Sequence, residues 1–439
     1  MFNLGDFPMK KTLVALASMA ALGAFAQSSV TMYGIAEATV DLAYKSTLDS
    51  SSQTRVGTVV TNSAVVNTTT KAGFRVQDGN SQGTGTSRIG WRGTEDLGGG
   101  LKANFQLEMG IRIDDGATTT PGVTNTNSGD SGGNTFGRNA WVGASGGFGE
   151  IRLGRQVLGS FATQAGGWSA GSSNGLYDAG SSTAPAMGGV RFSNAIRYIT
   201  PNLGGFTGSV MLSAPESTLS TNNGVAGAGN TTSTAKPKTG FDLALDYANG
   251  PLYVGFGYNS RGASASATTG APSSVAANSS IKAYTLSAAY DLGVVKPYFN
   301  YTRQKTNLNG ATSVGPVSFN DDTVEKAFQL GVRAPIGAAT HISGYGNSKL
   351  TFASATALTA TTATGTAVEG KEKAFQIGLQ YPLSKRTLIE TNYGQYKHNQ
   401  NGATTNVAAG PLGPVVTGGS LVTASQKVNA FNVGLRHTF

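Results

Sequence analysis

Leu101-Lys102-Ala103-Asn104-Phe105-Gln106-Leu107-Glu108-Met109 alternates without a break. The odd positions are apolar and the even positions are polar or charged, so a two-residue period puts one oily face and one wet face on the same segment. The same pattern governs an earlier stretch. Val30, Met32, Ala36, Ala38, Val40 and Leu42 fall on one side, and Thr31, Tyr33, Glu37, Thr39 and Asp41 fall on the other. No window sustains a 3.6-residue period, so the chain reads as strands.

Working outward, the connections carry more information than the strands. Short turns fall at 96–100, 145–149, 201–205, 248–251, 291–294, 334–338 and 382–385. Long stretches rich in Ser, Thr, Asn, Gly and Ala lie near 46–83, 114–134, 158–188, 216–237, 263–279, 307–322, 351–371 and 399–424. Seven short turns alternating with eight long loops make fifteen connections, hence sixteen strands. The strands run roughly 10–15 residues, which suits a tilted bilayer crossing of about 9–11 residues. Short turns at one end and long loops at the other describe an all-β, antiparallel transmembrane barrel with periplasmic turns and outer loops. Closure is obligatory, because lipid offers no hydrogen bonds to a free sheet edge. In the first loop, Val59-Val60 and Ala64-Val65-Val66 allow an extra hairpin that lengthens strands without changing their number.

Composition fits a wet interior. The chain has 439 residues, 62 of them Gly, with 39% apolar and 13% charged side chains. Average soluble proteins have about 45–50% apolar and about 25% charged residues. A large dry core is therefore excluded, yet 15 Tyr, 19 Phe and 3 Trp argue against disorder. With no Cys and only His341, His398 and His437, the sequence offers no disulfide scaffold, thiolate nucleophile or His-rich metal site, and no cofactor is expected. No nucleophile-and-base motif surrounds those histidines, so an enzyme is not expected. Dispersed basic residues without interleaved aromatics argue against nucleic-acid binding.

Residues 1–26 read as an export leader. Lys10-Lys11 precede an apolar run from Leu13 to Phe25 that ends in Ala24-Phe25-Ala26, a small-residue cleavage pattern. Met9 suits the start of that leader better than Met1 does. Residues 27–439 then form the barrel. Removing the leader leaves 30 basic and 22 acidic residues, a net charge of +8. Basic loops of this kind suit lipopolysaccharide phosphates as well as solutes.

Several segments together resemble the Gram-negative general porins of β-proteobacteria, the neisserial type included. They are SRIGWRGTEDLGGGLKA (87–103), FGRNAWVGASGGFGEIRLGRQ (136–156), Ser29-Val30-Thr31-Met32-Tyr33-Gly34, RFSNAIRY (191–198) before Pro201, and NVGLRHTF (432–439). Trp91 departs from the Phe or smaller apolar residue expected there. The resemblance implies a homotrimeric, sixteen-stranded, water-filled channel for small hydrophilic solutes and inorganic ions in the outer membrane. It also implies a third loop folded into the channel, and it makes Phe439 the terminal aromatic that assembly factors read.

Parity assigns the lumen. Ile89 and Trp91 take the lipid side, so Arg88 and Arg92 point inward. Trp141 is expected outward, with Arg138 and Ala140 inward. Phe192, Ile196 and Tyr198 are expected outward, with Arg191, Ser193 and Arg197 inward. Gly143, Ile151 and Leu153 are expected on the outer surface, where they suit subunit contact. Arginine on the lipid face costs about 2–4 kcal/mol near the midplane, which favours an inward basic ladder. Glu37, Glu108 and Asp41 share the lumen parity and dilute it. Asp178 is the acid expected to oppose the ladder from the third loop. Aligned cations in a narrow channel enrich anions, so anion preference is expected.

Overall fold

The computed structural model describes residues 29–56, 59–72, 74–78, 87–119, 135–169, 187, 189–214, 219–223, 231–237, 239–268, 275–312, 317–353, 369–404 and 420–439. Residues 1–26, expected to be a leader, lie outside the described residues. Sixteen strands form the wall. The first half comprises β1 (Ser29–Val56), β2 (Arg88–Gly98), β3 (Leu101–Ile111), β4 (Asn139–Gly146), β5 (Gly149–Val157), β6 (Arg191–Ile199), β7 (Phe206–Ser213) and β8 (Gly240–Asn249). The second half comprises β9 (Leu252–Thr268), β10 (Val275–Tyr290), β11 (Lys296–Thr312), β12 (Val317–Ile336), β13 (Ala339–Ala353), β14 (Glu369–Pro382), β15 (Thr387–Thr404) and β16 (Ser420–Thr438).

Each strand pairs antiparallel with the next. The ring closes where β1 meets β16, in register from Ile35↔Thr438 to Thr54↔Ser420. The short turns fall where expected. At the β2–β3 turn, Gly98, Gly99 and Gly100 all hold φ between +61° and +84°, a region that only glycine enters at little cost.

The wall is uneven. β4 and β7 have 8 residues each, β12 has 20 and β1 has 28. The expected hairpin in the first loop is present: Val59–Ala72 folds back on Tyr44–Val56 of β1. Several other polar stretches expected as loops are strand in part. Leu219–Asn223 pairs with Thr231–Pro237, and β9 to β16 continue well past the outer aromatic residues. The reason is physical. Beyond the membrane both faces of a strand are wet, so the apolar alternation that marks a strand disappears while the ladder continues.

Burial is inverted relative to a soluble protein. Val30, Val142, Ile196 and Leu435 lie exposed on the outside, whereas Asn300, Gln329, Gln376 and Glu390 are buried inside. An apolar exterior around a polar interior is the arrangement a bilayer selects. Outward aromatics make a girdle toward the outer end of the tall half, with Tyr284 against Tyr301 and Phe328 against Tyr345, ring centroids 6.3 and 6.2 Å apart. Among the described residues no helix is long and apolar enough to cross a membrane; the strands do the crossing.

Candidate functional site

The third long connection enters the barrel, as expected. Its helix α1 (Gly159–Gly166) begins directly after β5 and lies against the inner faces of β8 to β11. Its docking is polar. Asp242 on β8 accepts hydrogen bonds from the Gly159 and Ser160 amides at 2.8 and 3.3 Å, and from the Ser160 hydroxyl. These are the unpaired donors of a helix N-terminus, so a wall carboxylate caps the helix where its own sequence supplies no side-chain cap. Further along, the Thr163 hydroxyl donates to Asp246 at 3.0 Å, and the Gln164 amide donates to Thr302 at 2.9 Å. The Ser169 hydroxyl reaches the Ser343 carbonyl on β13 at 2.8 Å. Small wall residues permit the close approach: a Cβ on Gly257 would come within 2.7 Å of Ser160 Cα. A small apolar cluster of Leu158, Phe192, Ala195 and Met211, with Phe161 against it, seals the root of the helix.

The opposite side of the lumen is basic. Arg138 Nε donates to Glu108 Oε1 at 2.6 Å, and Arg88 Nε stands 3.7 Å from Glu108 Oε2. The Tyr33 hydroxyl donates to the same carboxylate at 2.8 Å. The buried Arg191 lies within electrostatic reach of Glu108, Arg88, Arg138 and Arg155. Arg155 itself donates to the Gly137 carbonyl at 2.7 Å and to the Ser193 hydroxyl at 2.6 Å. Arg197, by contrast, stands at the root of α1, where it donates to the Val157 carbonyl and to the Ser209 hydroxyl, at 3.1 and 3.0 Å. Arg92 lies over the Tyr33 ring, 5.2 Å from its centroid.

The other expected acids differ in setting. Glu37 is fully buried, with Arg436 Nε at 3.8 Å. Asp41 pairs with Arg75 at 2.8 Å and accepts from Gln77. Asp178 lies outside the described residues. Phe439 pairs main chain to main chain with Gly34 at 3.1 Å in both directions, beside the β1–β16 seam.

Four parity expectations are corrected, three on β4 and one on β6. Trp141 faces the lumen: it is opposite Gln106, its indole N–H donates to the Gln106 side chain at 3.1 Å, and Arg152 stacks 4.2 Å over its ring. Ala140 therefore faces outward beside the exposed Val142, and Gly143, opposite Arg152, faces inward. Arg138 still reaches the lumen because it precedes β4 and is not bound by the strand's alternation. Phe192 is inside as well, in the apolar cluster at the helix root. An irregularity after Gly154 (φ +126°) and the left-handed Asn194 (φ +50°) shift the β5–β6 register, which breaks parity between Phe192 and Ile196. Ile151, Leu153, Ile196 and Tyr198 are exposed on the outside, as expected.

Sequence reasoning missed Asp242 and Asp246 as the acidic side of the lumen. The signal was present, since Phe241, Leu243, Leu245 and Tyr247 alternate with them.

A closed barrel, oily outside and lined with charged groups around an inward-folded segment, is a transmembrane channel. Comparison with known proteins narrows the class. A family model described as Gram-negative porin matches residues 12–404. The chain is 31% identical to outer membrane porin protein 32 of Delftia acidovorans, over 98% of this chain and 100% of that one. It is 29% identical to an outer membrane porin protein of Bordetella pertussis, over 89% of this chain and 95% of that one. Among solved structures, OmpT of Vibrio cholerae in its trimer form matches with a TM-score of 0.50 at 13% identity, covering 94% of this chain and 99% of that one, a likeness of fold. The chain belongs to the Gram-negative porin family. It is an outer-membrane porin, and its relatives are channels rather than enzymes.

Proposed function

We propose that this porin passes small hydrophilic solutes with a preference for anions, and that Arg88, Arg138 and Arg191 set the preference. One observation carries the reading: these three guanidinium groups gather around the single carboxylate of Glu108. The charge balance on that side is positive by two. On the other side Asp242 and Asp246 are engaged by α1, so their charge is partly spent on helix donors. Focused positive potential in a narrow lumen raises the local concentration of anions. Arg92 and Arg155 extend the basic side and Arg197 adds a cation at the helix root, while Glu37, held beside Arg436, contributes little to it. Asp178 would oppose the arginines from the third loop.

The test is single-channel recording in a KCl gradient, with Arg88, Arg138 and Arg191 each replaced by Ala. A chloride-side reversal potential that moves toward the potassium side in each variant supports the reading. A cation-side potential in the parent protein, or no movement in all three variants, overturns it.

Three further assignments belong to the same proposal. Residues 1–26 are a leader removed on export, so N-terminal sequencing of protein taken from outer membranes should begin at Gln27. The porin assembles as a homotrimer through the low side of the barrel, where Ile151, Leu153 and Ile196 are exposed. Cross-linking that stops at dimers would count against that. Phe439 acts in assembly by fastening the β1–β16 seam.

A further inference from the structure

The inner face of the tall half carries an acid–histidine cluster outward of the arginine zone. Ser348, Glu372, His398 and Gln426 stand opposite one another in turn across β13 to β16. They share the parity of the buried Ala374, Tyr396 and Val428, which fixes them on the inner side, while Lys373 and Lys397 take the outer side. Glu372 ties the row together. Its Oε1 accepts from the Tyr396 hydroxyl at 2.9 Å and lies 3.0 Å from His398 Nδ1, and its Oε2 accepts from the Ser348 hydroxyl at 3.4 Å. Glu325 on β12 is half-buried, has the inward parity of Ala327 and Gln329, and lies within electrostatic reach of Glu372.

The setting makes these groups costly to charge yet open to protons. Ala374, Tyr396, Val428 and Ala430, with Tyr44 against them, form an apolar floor that solvates no ion. Glu372 and His398 nevertheless keep 19% and 23% of their side-chain surface exposed. Glu325 and Glu372 stand three residues outward of the girdle residues Phe328 and Phe375, which puts the cluster roughly 10 Å beyond the girdle at about 3.3 Å per residue. Neighbouring inward positions are neutral: Gln304 and Leu350 flank Glu325, and Gln426 flanks His398. Lys326, Lys349, Glu369 and Lys371 occupy the other face of the wall. Arg75, stacked 4.4 Å over the Tyr44 ring, is engaged by Asp41 at 2.8 Å. Burial, with the Glu372 charge behind it, pushes the Glu325 carboxyl up to about 8. Burial works against a charge on His398, but the hydrogen bond and charge of Glu372, together with a hydrogen bond to Gln400, outweigh it and hold the imidazole above its usual range.

We propose that Glu325, Glu372 and His398 form a proton-controlled selectivity element at the outer mouth of the channel, neutral in mildly acid surroundings and anion-repelling in alkaline ones. With Glu325 protonated and His398 cationic, the charge of Glu372 is balanced. Loss of one proton from Glu325 and one from His398 leaves two negative charges on the inner wall. An anion entering from outside passes this wall before it meets Arg88, Arg138 and Arg191. Fixed charge along a confined path decides which ion is enriched there, so the alkaline mouth works against the arginine zone. The inference concerns the change with pH and holds whichever ion the channel prefers at neutrality.

The experiment uses full-length refolded porin in planar bilayers, with the reversal potential read in a fixed KCl gradient between about pH 6 and about pH 9. The chloride-to-potassium permeability ratio should fall about two- to fourfold across that range, taking two unit charges roughly 10 Å from the ion in water and a Debye length of about 10 Å. Glu325→Gln and His398→Gln should each remove about half of the fall, and the double variant should remove nearly all of it. Titration of groups elsewhere is common to parent and variants and drops out of the difference. A parent whose ratio stays level across the range overturns the proposal with no variant needed, so it remains testable if the variants fail to fold. A double variant whose ratio falls as the parent's does overturns it too. Failure of the arginine assignment reads differently: it shows at a single pH in Arg88→Ala, Arg138→Ala and Arg191→Ala and leaves this difference curve intact.

Discussion

Replacing Asp242 tests why the third loop stays inside the barrel. The carboxylate is fully buried and receives the Gly159 amide, the Ser160 amide and the Ser160 hydroxyl. Hydrogen bonds to a charged acceptor contribute about 1.5–3 kcal/mol, and a helix cap about 0.5–2 kcal/mol. Counting the cap and its hydroxyl partner together, Asp242→Ala should weaken docking of α1 by about 3 kcal/mol, roughly a 150-fold change in the docked-to-undocked ratio. The helix keeps its bonds to Asp246, Thr302 and Ser343, so it should loosen rather than leave. Asp242→Asn removes the same charge but leaves one acceptor oxygen, and should weaken docking by about half as much. Single-channel recording separates the two effects. Loss of charge alone shifts ion preference equally in both variants. Loss of the tether adds open-channel noise and subconductance steps, more in Asp242→Ala than in Asp242→Asn. Indistinguishable current traces from the two variants would refute the tethering argument.

Other perturbations read different parts of the molecule. Glu108→Gln should move the reversal potential further toward chloride and lower the temperature at which the folded band converts on a gel, since removing one partner of a buried ion pair costs about 3–5 kcal/mol. Gly257→Val should press α1 off the wall and into the lumen, narrowing the conducting path, seen as lower conductance in KCl. Gly34→Val should impair closure, because a Cβ there would meet the Phe439 ring at 2.3 Å and the Arg88 carbonyl at 2.6 Å; the readout is loss of the heat-modifiable folded band. Brominated lipid should quench Trp91 fluorescence and spare Trp141, so a Trp91→Phe variant should lose most of the quenching.

Much of this was legible in the sequence, for reasons that differ from strand to strand. Connection lengths reveal the strand count because only a membrane barrel sorts short and long loops to opposite ends. Parity places Arg88 and Arg92 because the β2–β3 ladder runs in unbroken register from Arg88 to Asp96. It fails at Trp141, whose alternation begins at Asn139 rather than at Arg138, and at Phe192, beyond the irregular β5–β6 register. A local break in pairing leaves no mark on composition, so only the folded chain reveals it. Asp242 and Asp246 were readable by the rule that placed Glu108, because Phe241, Leu243, Leu245 and Tyr247 alternate with them and take the outer face of β8.

No large apolar core holds this barrel up; its buried apolar clusters among the described residues are small. Main-chain ladders and the outer surface carry most of the structure, and many inward side chains are polar groups that meet one another. Such positions can drift under selection one at a time, each exchange altering which nutrients enter while leaving the architecture intact. Related bacteria in different habitats would then be expected to differ most where the solute passes and least along the seam.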